Sequence, residues 1–225
     1  MCKSNETANA LPQQTQLQLA YHFPCTIYLI ERPDFLDTVS AVSEEYLAIK
    51  REQPINDIYP ALMSDSYAND LRLQEFTEFV GSTAWNILSG QGYAMHEFEV
   101  MFTEMWTQEH HKHSGMEQHV HGYGAQIVGF YFLEVPDNSS RVVFHDPRSG
   151  KVQIDLPETD VTRASFASKM INFVPTPGLL MFTNAWLAHS FTRHAADKPI
   201  KFVHFNLAAR YATPNASACS TAEVV

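Results

Sequence analysis

The sequence is short of cysteine, of positive charge and of long apolar runs, and each shortage removes a class of protein. Its three cysteines, Cys2, Cys25 and Cys219, are odd in number and scattered. That excludes a disulfide framework and a cysteine-based zinc site, and it suits a reducing, cytoplasmic setting. Fifteen lysines and arginines against 25 acidic residues give a formal net charge of −10. Affinity for nucleic acid comes largely from neutralising phosphates, so this balance argues against such a partner. The longest apolar stretches, Ile127–Leu133 and Gly178–Phe182, fall far short of the roughly 18–20 residues that cross a bilayer, and no membrane span is expected. The first residues have no basic segment leading into an apolar core, so they are not expected to act as a signal peptide.

What the chain does have is length and apolar content enough for one buried core: 225 residues, 45% of them hydrophobic. Residues 1–18 and 212–225 are small, polar and expected to be flexible tails. Between them, 19–211 is read as a single domain. Its first part, 19–92, is mainly helical after a strand-like stretch at Tyr21–Ile30. Apolar residues recur at three- and four-residue spacing through Pro33–Arg51 and Leu71–Leu88, which predicts two helices. From residue 93 to 211 the texture changes to short runs separated by turn residues: His96–Trp106, Gln118–His121, Ala125–Val135, Arg141–His145, Lys151–Ile154, Lys169–Val174, Gly178–Thr183 and Ile200–Ala208. Evenly spaced short strands of this kind predict a sandwich or barrel, so the fold class is mainly β with flanking helices.

Histidine is in surplus. There are 11, of which nine fall between His110 and His204. His119 and His121 are two residues apart, and on a strand such residues point to the same side, which suits a divalent metal. His189 follows a Pro-Gly turn, an apolar strand and a short loop, at the start of another strand. Three such nitrogens leave about three positions open on an octahedral iron or manganese. His110, His111 and His113 lie in a polar stretch read as an exposed loop. His204 shares a strand face with Phe202 and Asn206; support of the site and an ordinary buried histidine both fit it. Asp146, before Pro147, competes with His121 as a ligand, although its setting also suits a turn.

From Trp106 to Asn206 the chain resembles the iron- and 2-oxoglutarate-dependent oxygenases, in a bacterial and phage branch. The resemblance rests on Trp106, His119-Val120-His121, Val128–Leu133, Val143–Arg148, Pro177–Phe182 with Leu187 and His189, and Phe205-Asn206, in order and at the family's spacing. It implies a double-stranded β-helix core of jelly-roll or cupin-like form, with a mononuclear Fe(II) centre at the narrow end of the barrel. His119, His121 and His189 then take the three ligand positions. The family usually has Asp or Glu where His121 stands.

The family also anchors the distal carboxylate of 2-oxoglutarate with a cation about nine to twelve residues after the last histidine, a window that holds Lys198 and Lys201. Ile200 occupies the arginine slot itself, and Phe132 stands where a tyrosine is common. Arg148, Gln126 and Asn206 are further candidates for the co-substrate pocket. The implied activity is a hydroxylase-type dioxygenase using Fe(II), 2-oxoglutarate and O2 on a small-molecule or peptide substrate, with homo-oligomerisation left open. Two alternatives remain. One is a cupin-like dioxygenase with three histidines and no 2-oxoglutarate; the other is a non-catalytic barrel that binds metal or serves assembly.

Overall fold

A computed structural model describes residues 17–122, 124–154 and 156–212; both expected tails fall largely outside them. Among the described residues ten strands form two sheets: β1 (Ile27–Glu31), β2 (Ala61–Met63), β3 (Phe98–His110), β4 (Met116–His119), β5 (Ile127–Glu134), β6 (Val142–His145), β7 (Met170–Phe173), β8 (Leu179–Asn184), β9 (His189–Phe191) and β10 (Ile200–Tyr211). The major sheet has the order β1-β8-β5-β10-β3-β2 and the minor sheet β4-β9-β6-β7. All pairings are antiparallel. The two sheets face each other, as a jelly-roll or double-stranded β-helix requires.

Strand alternation sorts the side chains into two cores. Along β5, Val128, Phe130 and Phe132 point between the sheets, where they meet Phe144 and Phe191 of the minor sheet and Phe202 of β10. Ile127, Tyr131 and Leu133 point the other way, onto helices α1 (Leu36–Arg51) and α2 (Gln74–Gly90). Each helix offers one apolar stripe to that face: Val39, Val42 and Leu47 from α1, Phe76, Val80, Ala84 and Ile87 from α2. Gly129 lies on the same helix-facing side. A Cβ there would sit 2.3 Å from the Phe205 ring and 2.6 Å from the Met181 carbonyl oxygen, so only glycine allows β5, β8 and β10 to close up.

Both predicted helices are present, each led by a short 3-10 turn (Pro33–Phe35 and Leu71–Leu73). Three expectations change. Lys151–Ile154, expected as a strand, falls mostly in a 3-10 turn spanning Ser149–Gln153, where Gly150 and the neighbouring Pro147 favour a turn over a strand. The mainly helical first part contributes, besides β1 at the end of the strand-like stretch Tyr21–Ile30, an unexpected β2; the two form the edges of the major sheet. The polar stretch expected to be a loop begins instead inside a strand: β3 runs on to His110, which is fully buried, because Trp106, Gln108 and His110 continue the inward alternation.

Candidate metal centre

The register of the minor sheet creates the site. His119 of β4 pairs directly with His189 of β9, and the chain leaves β4 so that His121 returns to the same point, its backbone N–H donating to the Ala185 carbonyl oxygen. Ligand atoms of His119, His121 and His189 all lie within 4.8 Å of one another. Nε2 of His121 is 3.3 Å from Nε2 of His189. Two nitrogens each about 2.1 Å from one ion and about 100° apart would have that spacing.

The tautomers are set from outside the cluster. His119 Nδ1–H donates to the Glu117 carbonyl oxygen at 2.8 Å, and His189 Nδ1–H to the Leu187 carbonyl oxygen at 3.0 Å. Each bond leaves the Nε2 lone pair free and turned toward the cluster, the usual outer support of metal-bound histidine. Burial pushes the His189 imidazole down to about 3 and the His121 imidazole to about 4, with neighbouring histidines adding to the effect. Both are neutral near pH 7, as ligands must be. The residues therefore fit a divalent metal, and being uncharged they leave its positive charge uncompensated, which favours an anion in the open positions.

Asp146 is not part of this group. Arg148 bonds it at 2.7 Å and Lys151 at 3.0 Å, which together hold its carboxyl well below the usual carboxylate range. His121, not Asp146, is thus the third member of the group that could hold a metal.

The co-substrate candidates are placed less uniformly. Asn206 faces the cavity of about 480 Å³ beside His119 and His121, its amide donating to Glu104. Gln126 lines a second, mainly apolar cavity of about 420 Å³ that reaches His121 and is walled by Leu88, Tyr93, Met95, Phe98 and Trp186. The three cations lie elsewhere. Lys201 projects to the helix side, between Glu44, Glu134 and the buried Glu109. Lys198 is exposed, and Arg148 is held by Asp146. On the inward face of β10 the corresponding positions are the buried Ile200 and Phe202. Tyr131 donates to the Arg32 carbonyl oxygen on the helix side. No lysine or arginine among the three thus faces the metal ligands from inside the barrel.

Gln108, passed over in the sequence, and His110, read there as loop, complete the surroundings, linked by a 2.9 Å bond next to His204. Continued alternation beyond Trp106 was the available signal for both.

The double-stranded β-helix thus brings an HxH pair and a distant third histidine together between its sheets, a group that could hold one metal ion. Residues 104–206, from the middle of β3 to the middle of β10, match the family model described as "Putative 2OG-Fe(II) oxygenase". The matched stretch, a little under half of the chain, is thus similar to the iron- and 2-oxoglutarate-dependent oxygenases.

Solved structures agree at the level of the fold. A prolyl-4-hydroxylase from Pseudomonas putida superposes with a TM-score of 0.57 at 8% identity, covering 83% of this chain and 94% of its own. AviO1 from Streptomyces viridochromogenes Tue57 does so with a TM-score of 0.57 at 11% identity, covering 84% and 92%. HygX from Streptomyces hygroscopicus, which holds nickel and 2-oxoglutarate, gives a TM-score of 0.53 at 9% identity, covering 82% and 83%. No curated protein sequence matches the chain.

Proposed function

We propose that the chain is a hydroxylase-type oxygenase whose Fe(II) is held by three histidines, His119, His121 and His189, in place of the usual two histidines and one carboxylate. The observation that carries this is the convergence of their nitrogens within 4.8 Å. When bound, the iron with 2-oxoglutarate and O2 supplies an oxidant strong enough to functionalise a C–H bond.

The residues of the chain have separate tasks. His119 and His189 present fixed Nε2 lone pairs, while Phe130, whose ring centre is 5.4 Å from that of His189, keeps water from the inner side of the site. Asn206, with Glu104, offers polar contacts in the outer cavity, and Gln126 does so at the rim of the apolar one. That apolar cavity suits a substrate, a small molecule or a peptide side chain, whose reacting group is uncharged. No helix among the described residues is long and apolar enough to cross a membrane, and the scattered cysteines support a cytoplasmic location.

The test is anaerobic reconstitution with Fe(II), followed by 2-oxoglutarate and O2. One iron per chain and formation of succinate are expected; a chain that takes up no iron, or takes it up without turning over the keto acid, overturns the reading.

A second reading keeps the three-histidine metal and dispenses with 2-oxoglutarate, the substrate itself chelating the ion. It draws on the apolar residues Ile200 and Phe202 at the inward positions of β10. Oxygen consumption with substrate but no keto acid would decide for it.

A further inference from the structure

A fourth histidine lies against the cluster. His204, on the inward face of β10, is 1% exposed. Its ring centre is 4.8 Å from that of His121, with the planes at 73°, and 6.4 Å from that of His189. Trp106 and Phe130 pack on it at 4.4 and 4.7 Å. Its Nδ1 accepts a 3.3 Å bond from the Gln108 side-chain amide, whose carbonyl oxygen in turn accepts from Nε2 of the buried His110 at 2.9 Å.

This arrangement fixes the tautomer. An imidazole that accepts at Nδ1 while neutral must carry its proton at Nε2. That Nε2–H is buried and has no partner among the described residues. A buried donor left unpaired is unfavourable, and native proteins rarely keep one without a use. The proton also makes His204 unsuited to ligate, since its lone pair is at the other nitrogen, engaged by Gln108. What it can do is donate.

We propose that His204 is the anion-binding residue of the metal centre: its Nε2–H donates to a small anion, such as a carboxylate oxygen, that occupies an open position on the metal. The assignment rests on the three-histidine metal reading. It gives the site a neutral donor on the inward face of β10, where Ile200 and Phe202 offer no polar group. Aromatic walls on two sides exclude competing water and strengthen such a bond.

The test uses the full chain loaded with Co(II), with azide as the anion probe, followed by the visible spectrum of the cobalt. His204→Phe should still bind one Co(II) per chain, while its azide affinity falls about tenfold to a hundredfold, the range for a hydrogen bond to a charged partner. His204→Gln, which restores an N–H donor, should recover most of that affinity. Nitrogen-15 NMR of the unmutated Zn(II)-loaded chain gives a second readout independent of folding of the variants: the His204 Nε2–H resonance should shift on azide addition.

Equal azide affinity in His204→Phe, or an unmoved His204 resonance, overturns the proposal. Loss of Co(II) from His204→Phe with the fold retained overturns it differently, by making His204 a ligand. Failure of the unmutated chain to bind Co(II) or Zn(II) removes the metal reading and the proposal together.

Discussion

His121 and His189 present their Nε2 atoms to each other at 3.3 Å with rings only 4° from parallel. Two neutral imidazoles gain little from such an approach by themselves, since at most one can donate. The proposed metal ion would sit between them and draw on both nitrogens. Substituting either residue by alanine should therefore lower metal affinity by more than the 10–100-fold that loss of an outer-shell partner causes. His121→Asp, which restores the carboxylate usual in the family, should keep one iron per chain. Metal titration of the three variants checks this; full affinity in His189→Ala would contradict it.

Acid should weaken the metal-free protein in a window set by these same residues. His189 and His121 titrate at about 3 and about 4 when folded, well below the ordinary value of 6.5. Between these limits the unfolded chain binds more protons than the folded one, so stability falls as pH falls. The contribution is fully present above 6.5 and is lost progressively toward 3. Urea midpoints at about pH 7.5 and about pH 5.5 should differ, the lower pH giving the lower midpoint. Carboxylates with depressed values, such as Asp146, stay ionised across that interval and add little to the difference. Equal midpoints would count against buried neutral histidines.

Metal affinity should follow the same direction. Protons compete with the ion for the ligand nitrogens, so acidification below about pH 6 should release metal. An affinity that rises on acidification would exclude imidazole ligation.

Lys201 makes a contrasting case. Its ammonium lies 2.8 Å from Glu134 and 3.7 Å from the buried Glu109, on the face away from the metal. Lys201→Met should leave 2-oxoglutarate affinity within about twofold while lowering stability by about 1 kcal/mol, the upper range for a partly exposed pair. Weakened co-substrate binding at unchanged stability would return Lys201 to the site.

Gly129 should be intolerant of any side chain. Alanine there meets the Phe205 ring and the Met181 carbonyl oxygen well inside contact distance. Overpacking of that kind destabilises by about 1–3 kcal/mol. A lowered urea midpoint for Gly129→Ala with an unchanged slope is expected, and an unchanged midpoint would show that β5 and β10 can move apart.

Local pattern in the sequence was enough for the two helices, most of the strands and the three histidines that the fold gathers. The two-residue step from His119 to His121 and the Pro-Gly turn before β8 are short-range features, and short-range spacing determines which side chains share a face. Which face points where is a long-range matter. Lys201 and Ile200 are neighbours on β10, and only the packing of α1 and α2 on one side of the major sheet sends the lysine outward and the isoleucine in. The same holds for Asp146, removed from the metal by Arg148 and Lys151, and for Gln108, His110 and His204, joined because β3 and β10 pair in one register. The sequence by itself thus determined the ligand types and their spacing. The tertiary structure decided which charges stay away from the three histidines and which buried imidazole packs beside them, because burial and pairing depend on residues nearly a hundred positions apart.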